Sequence, residues 1–175
     1  MDEGAVAPAL RSVAERAIAL AATGAWSSAD RLAIIDSLKA LGPSDAAPAE
    51  IGDTSAAHAT VFTLGRGGVL PLHDHPAMTV ICKVLRGRMR VEAFEWVDRD
   101  AGLARDLGTR ELDESSDPVV FGPEPGTLHR ITALADCTFI DLFAPYYDDE
   151  RPCRYYRDKE AGEFRKLEPT GEIAP

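Results

Sequence analysis

Basic charge, cysteine, histidine and long apolar runs are all scarce in this 175-residue sequence, and each shortage excludes something. Lys and Arg number 19 against 29 Asp and Glu, a formal charge of −10 at pH 7. Binding to nucleic acid depends on neutralising phosphates with Lys and Arg, so no nucleic-acid partner is expected. The same charge opposes anionic membrane surfaces, and no apolar run approaches the ~20 residues of a membrane helix. The first residues include Asp2 and Glu3, with no basic segment leading an apolar stretch, and do not read as a secretory leader. The 3 cysteines (Cys82, Cys137 and Cys153) are odd in number and lack zinc-ribbon spacing. They read as free thiols in a reducing compartment, which makes a cytoplasmic location the expectation. No internal repeat is visible. The length suits one domain, and a monomer is the default expectation.

What is present falls into two parts. Over residues 1–45 the apolar residues recur at helical spacing. Pro8 sits where a helix can begin, and Leu10, Val13, Ala14, Ala17, Ile18 and Ala21 follow at steps of three and four up to Gly24. Ser27 and Asp30 form a capping-box start for a second segment, closed by Gly42-Pro43. Two short amphipathic helices packing on something else are expected, followed by a loop over 43–57. From residue 58 the pattern changes to β-branched and aromatic runs separated by Gly, Pro and Asp. Strands are expected at 58–64, 69–73, 78–85, 88–97, 107–112, 118–121, 127–133, 137–143 and 152–157, with a hairpin turn at Arg86-Gly87-Arg88 and a charged surface connection over 98–106. Many short strands at regular intervals suggest a sandwich or barrel, here over 58–168, in a chain that is one domain overall.

Two of the 4 histidines lie in Pro71-Leu72-His73-Asp74-His75-Pro76. Residues i and i+2 of a strand share a face, so His73 and His75 project together and can share one metal ion. Imidazole is the commonest neutral ligand for transition metals. The pair alone also fits a solvated strand end. His129 adds a third candidate: it follows the turn residues Pro125 and Gly126 and opens an apolar strand. His58 has no such neighbour and reads as structural.

These residues resemble a family. Gly67, then His73-x-His75, then Gly87 are similar to the first cupin motif, and Gly126-x-x-His129 to the core of the second, with its proline displaced to Pro125 and Pro123. Thr79 and Val80 stand where the usual cupin glutamate would fall, which points to a three-histidine site. The longer match is narrower. Pro71 to Pro76, Lys83-Val84-Leu85-Arg86-Gly87, Leu128-His129-Arg130-Ile131, Phe139 to Tyr147 and Cys153-Arg154-Tyr155-Tyr156 resemble the cysteamine dioxygenase and plant cysteine oxidase family over about residues 58–158. Two departures are visible: Ala77 where that family has Gly, and Tyr146 in place of the second proline of a Pro-Pro-Tyr segment.

The resemblance implies a mainly β fold, a cupin double-stranded β-helix (jelly-roll barrel) with short N-terminal helices. It implies an enzyme that uses one Fe(II) per chain, held by His73, His75 and His129. With O2 as co-substrate, that enzyme oxidises cysteamine, cysteine or a protein's N-terminal cysteine to the sulfinic acid. It places Asp141, which interrupts the apolar strand Thr138 to Phe143, near the substrate amine or in proton transfer. A carboxylate satisfied by an internal arginine or backbone amides is the competing reading. Tyr147 is implied as a pocket residue; an aromatic loop anchor is the alternative. Some thiol dioxygenases join a Cys to a Tyr, and Cys153 and Tyr155 share a strand face; a plain core cysteine competes. Asp74 faces away from the ligands and reads as supporting or structural, and Cys82 as a small core hydrophobe. A metal-binding cupin without turnover, a cupin enzyme acting on a non-thiol molecule, and a structural interaction protein remain as other function classes.

Overall fold

The computed structural model describes residues 6–22, 24–54, 56–122, 127–160 and 164–173. Helix α1 spans Pro8–Ala21 and α2 spans Ser28–Leu38. Pro8 fixes the first turn of α1, where a missing N–H costs nothing. Its buried residues Leu10, Ala14, Ala17 and Ala21 form one stripe. At α2 the expected capping box is made: Ser27 Oγ accepts from the Asp30 N–H at 3.2 Å, and the Asp30 carboxylate accepts from the Ser27 N–H at 2.9 Å. Trp26 Nε1 donates to the Ala17 carbonyl at 2.9 Å and folds the linker onto α1.

Eleven strands follow among the described residues: β1 Ala49–Thr54, β2 Ala57–Leu64, β3 Val69–His75, β4 Thr79–Arg86, β5 Arg88–Asp98, β6 Leu103–Asp113, β7 Val119–Phe121, β8 Thr127–Ala133, β9 Cys137–Ala144, β10 Arg154–Glu160 and β11 Phe164–Ile173. One sheet has the order β1-β2-β9-β4-β7, and the other strands close a ring in the order β10-β11-β6-β5-β8-β3. The chain passes repeatedly from one sheet to the other, which is the winding of a double-stranded β-helix. With two N-terminal helices, this is the mainly β cupin architecture that the motifs imply.

Both faces of the five-stranded sheet are covered. Along β9, Ile140, Leu142 and Ala144 join Leu10, Ala14, Ala17 and Ile34 in one core. The alternate residues Cys137, Phe139 and Phe143 point into the barrel. A strand buried on both sides reads as a continuous apolar run, and all eight residues of β9 are buried.

Several expectations need correction. Residues 43–57 are not a loop, because Pro43–Asp45 is a 3-10 turn and β1 pairs with β2. The 98–106 connection shrinks to residues 99–102, since β5 and β6 extend to meet each other. Strand β11, beyond the last expected strand, extends the barrel to Ile173. Arg86-Gly87-Arg88 is not a hairpin: β4 and β5 lie in different sheets, and Gly87 turns the corner between them. Asp2, Glu3, Pro123, Pro125 and Gly126 lie outside the described residues.

Gly87 has φ +81, and a Cβ there would come 2.0 Å from the Asp136 carbonyl oxygen. Backbone cannot yield as a side-chain tip can, and the left-handed conformation adds strain. Gly87→Ala is therefore expected to destabilise the fold by about 3 kcal/mol, read as a lower urea midpoint with an unchanged slope.

Candidate metal centre

The two-residue period of β3 turns His73 and His75 to one face and Leu72 and Asp74 to the other. Strand β8 lies beside β3, in the register that sets His129 directly opposite His73. The third imidazole thus comes from the neighbouring strand, although it is far away in sequence. All three rings are buried. Their centroids lie 4.6–4.8 Å apart, and one donor atom from each fits within 4.8 Å of the others. No thiolate or carboxylate joins this cluster among the described residues.

The other ring nitrogens decide which atoms are free. His73 Nδ1 lies 2.7 Å from the Pro71 carbonyl and donates to it. His75 Nδ1 lies 2.5 Å from the Tyr147 hydroxyl oxygen. That hydroxyl donates to the Asp74 carbonyl at 3.1 Å, so the hydroxyl oxygen receives the His75 Nδ1 proton. The network assigns Nδ1–H to both rings and leaves each Nε2 with a lone pair. Burial lowers the pKa of all three, and His75 and His129 also repel neighbouring positive charge. Neutral imidazole is the form that ligates a metal. His75 Nε2 and His129 Nε2 are 3.1 Å apart. Two nitrogens about 2.1 Å from one ion and meeting at a right angle lie about 3 Å apart, so the residues fit one divalent metal.

Behind the ligands, Asp74 is almost fully buried and accepts from three sides. Its carboxylate takes Arg99 Nη2 at 2.6 Å, the Tyr156 hydroxyl at 2.9 Å and the Arg154 N–H at 3.0 Å. A buried carboxylate is costly unless paired and hydrogen-bonded, and this one is both. Arg99, from the β5–β6 connection, carried no sequence signal that would link it to residue 74. Just after the ligands, Ala77 holds φ 55, a left-handed position that a glycine takes without strain.

Asp141 shares its strand face with Phe139 and Phe143 and so points into the barrel. No arginine or backbone amide among the described residues satisfies it. Its partner is the thiol of Cys82, which stands opposite it on β4. Cys82 is therefore a hydrogen-bonding group as well as a core residue. Asp141 Oδ1 is buried without a hydrogen-bond partner. Burial pushes the Asp141 pKa from 3.8 up to about 7.

A cavity of about 670 Å³ opens in front of His73 and His75. His73, His75 and Asp141 line its depth with Phe62, Leu70 and Phe143, while Glu50, Tyr146, Asp148 and Asp149 are also part of its wall. Glu50 and Asp149 escaped the sequence reading because they lie in segments read as loops. Tyr147 reaches the cavity, and its hydroxyl meets His75 Nδ1 and the Asp74 carbonyl. The Cys153 thiol meets Tyr147, and Tyr155 presents its ring edge to His73 at 6.2 Å between centroids. His58 stands apart from the cluster and stacks on Tyr146 at 4.2 Å.

Comparison with known proteins places the chain in a family. The family model PCO_ADO matches residues 39–174. The chain belongs to the PCO_ADO family. Plant cysteine oxidase 2 of Arabidopsis thaliana is 33% identical over 107 residues, 56% of this chain and 39% of that protein. The 2-aminoethanethiol dioxygenase of Mus musculus is 36% identical over 123 residues, 55% and 48% of the two chains. The chain spans less than half the length of these curated relatives. Among solved structures, KdgF from Halomonas sp. is 27% identical with a TM-score of 0.44, over 58% of this chain and 82% of that one. In this member of the PCO_ADO family the matched segment contains every residue of the imidazole cluster and cavity named above.

Two outcomes follow from the geometry. Asp74→Ala is expected to weaken divalent-metal affinity by about 10- to 100-fold, measured by competition with a chelating dye. For Asp141 the folded-state pKa exceeds the unfolded one, so the folded protein retains a proton that the unfolded chain releases. Stability therefore falls as pH rises from about 4 to about 7. In metal-free protein Asp141→Asn removes that fall, and its advantage over wild type should reach roughly 2–4 kcal/mol by about pH 8 and vanish near pH 4, as read by denaturant unfolding.

Proposed function

We propose that the chain is an Fe(II)-dependent thiol dioxygenase, a cytoplasmic monomer that converts an aminothiol or a protein's amino-terminal cysteine to the sulfinic acid with both atoms of O2. One observation carries the reading: three buried imidazoles cluster with no fourth protein ligand among the described residues, and two of them, His73 and His75, line a cavity that also holds a buried, half-satisfied carboxylate. A structural zinc site closes its coordination with a fourth ligand, whereas oxygenase sites leave positions open. The names of the relatives, a cysteine oxidase and a 2-aminoethanethiol dioxygenase, support the same chemistry.

Iron(II) held by His73, His75 and His129 would supply the redox chemistry and the open positions for a thiolate and dioxygen. The protein's own share is placement. Asp141 Oδ1 offers a hydrogen-bond acceptor to the substrate ammonium. With its pKa raised to about 7, the same carboxyl can hold or release a proton near neutral pH. Tyr147 keeps His75 in the tautomer that presents Nε2. Phe62, Leu70 and Phe143 form an apolar wall that limits water around the reacting sulfur.

The test is reconstitution with Fe(II) without oxygen, followed by admission of air to a panel of cysteamine, cysteine and a Cys-initiated peptide. A gain of two oxygen atoms by mass spectrometry on at least one thiol, with matching O2 consumption, is expected. His129→Ala should lose both bound iron and turnover. Iron-loaded protein that leaves the whole panel unoxidised would favour a metal-binding cupin without turnover.

A further inference from the structure

The cavity is charged on one side only. Its acidic lining residues are Glu50, Asp141, Asp148 and Asp149, and no Lys or Arg side chain lines it among the described residues. Asp148 is already committed: it pairs with Arg151 and accepts the Arg151 N–H at 2.8 Å. Glu50 and Asp149 are exposed, and neither forms an ion pair among the described residues. Deeper in the same cavity, Asp141 Oδ1 is buried and unpartnered. That orphaned acceptor marks the space as a ligand site, which a ring of surface acids alone would not do.

Strand register fixes the spacing. Glu50 of β1 stands opposite Thr60 of β2, and Thr60 stands opposite Asp141 of β9. Direct antiparallel neighbours share a face with Cβ atoms about 5 Å apart. Glu50 and Asp141 are therefore about 10 Å apart on one surface, with Thr60 between them. A volume of about 670 Å³ is in the range of pockets that enclose drug-sized ligands, far larger than a two-carbon thiol needs. An extended chain advances about 3.5 Å per residue. With its amino group at Asp141, the side chain of its second or third residue falls beside Glu50.

We infer that the mouth of this cavity selects peptides in which the terminal cysteine is followed, at position two or three, by lysine or arginine. Glu50 receives that cation from the sheet side and Asp149 from the loop side. This rests on the thiol dioxygenase reading and adds a determinant of specificity to it. Because the two carboxylates are solvated, the selection is moderate, appears in KM more than in kcat, and weakens with salt.

The experiment compares three peptides of equal length, beginning Cys-Lys-Lys, Cys-Gly-Gly and Cys-Glu-Glu, with iron-loaded wild type and with the Glu50→Gln, Asp149→Asn double variant. Oxidation is followed by mass. In wild type the kcat/KM values should fall in the order basic, neutral, acidic, spanning about tenfold. The spread should contract at high ionic strength and drop to about twofold in the double variant. Equal rates on all three peptides, or a spread that survives both substitutions, would overturn charge selection while leaving the thiol chemistry standing. Oxidation of none of the three would instead overturn the dioxygenase reading and this inference with it.

Discussion

Three imidazoles crowded into a buried space cannot all be protonated, and the surrounding architecture depends on that constraint. Desolvation disfavours their charged forms, and the Nδ1 protons of His73 and His75 are directed outward to fixed acceptors. The Pro71 carbonyl takes one, and the Tyr147 hydroxyl, backed by the Asp74 carbonyl, takes another. What is left is a convergence of lone pairs that suits a cation. Residue 74 contributes twice, through its backbone oxygen on one side and through its carboxylate on the other. The strand that presents the ligands is thereby held to β10, to the segment that follows β9 and to the β5–β6 connection.

The carboxylate of Asp141 illustrates the complementary rule. Asp74 is surrounded by donors and is well satisfied. Among the described residues Asp141 has only a thiol partner, and its second oxygen is left over. Two buried acids in one barrel thus have opposite fates. The well-bonded one supports the structure, and the poorly bonded one faces the cavity where a ligand can complete its bonding. Incomplete satisfaction of a polar group inside a native protein is costly, and its position in front of the imidazoles gives that cost a use.

The His73 and His75 pair was legible because strand parity is a local rule: His73-x-His75 needs only an extended backbone to share a face, whereas His129, on another strand, was joined to it by its place after a turn and by the family resemblance. The capping box at Ser27 and Asp30 was legible for the same reason. Asp141 stood out because a charge in an otherwise apolar strand is conspicuous. Features that depend on distant partners were not visible. Strand β1 is an edge strand in which Ile51 and Thr54 stand among Ala, Glu, Gly and Asp, so its composition resembles a loop, and it becomes a strand only through pairing with β2. Glu50 was lost with it. Strand β11, with Pro169 and Gly171 inside it, shows no alternation strong enough to announce itself. Gly87 was rightly seen as a bend, but whether a bend closes a hairpin or crosses between sheets is set by the pairing of both strands elsewhere. The Arg99–Asp74 pair spans 25 residues and leaves no spacing pattern to read.

The two-sided burial of β9 has a practical implication for anyone trimming the chain. Helix α1 contributes no residue to the imidazole cluster or to the cavity lining, yet its Leu10, Ala14 and Ala17 shield the back of the strand whose front carries Asp141. A barrel cut free of that cover would present Ile140, Leu142 and Ile81 to water as an adhesive plate. The apolar back of the barrel is thus covered by the segment that looks most dispensable.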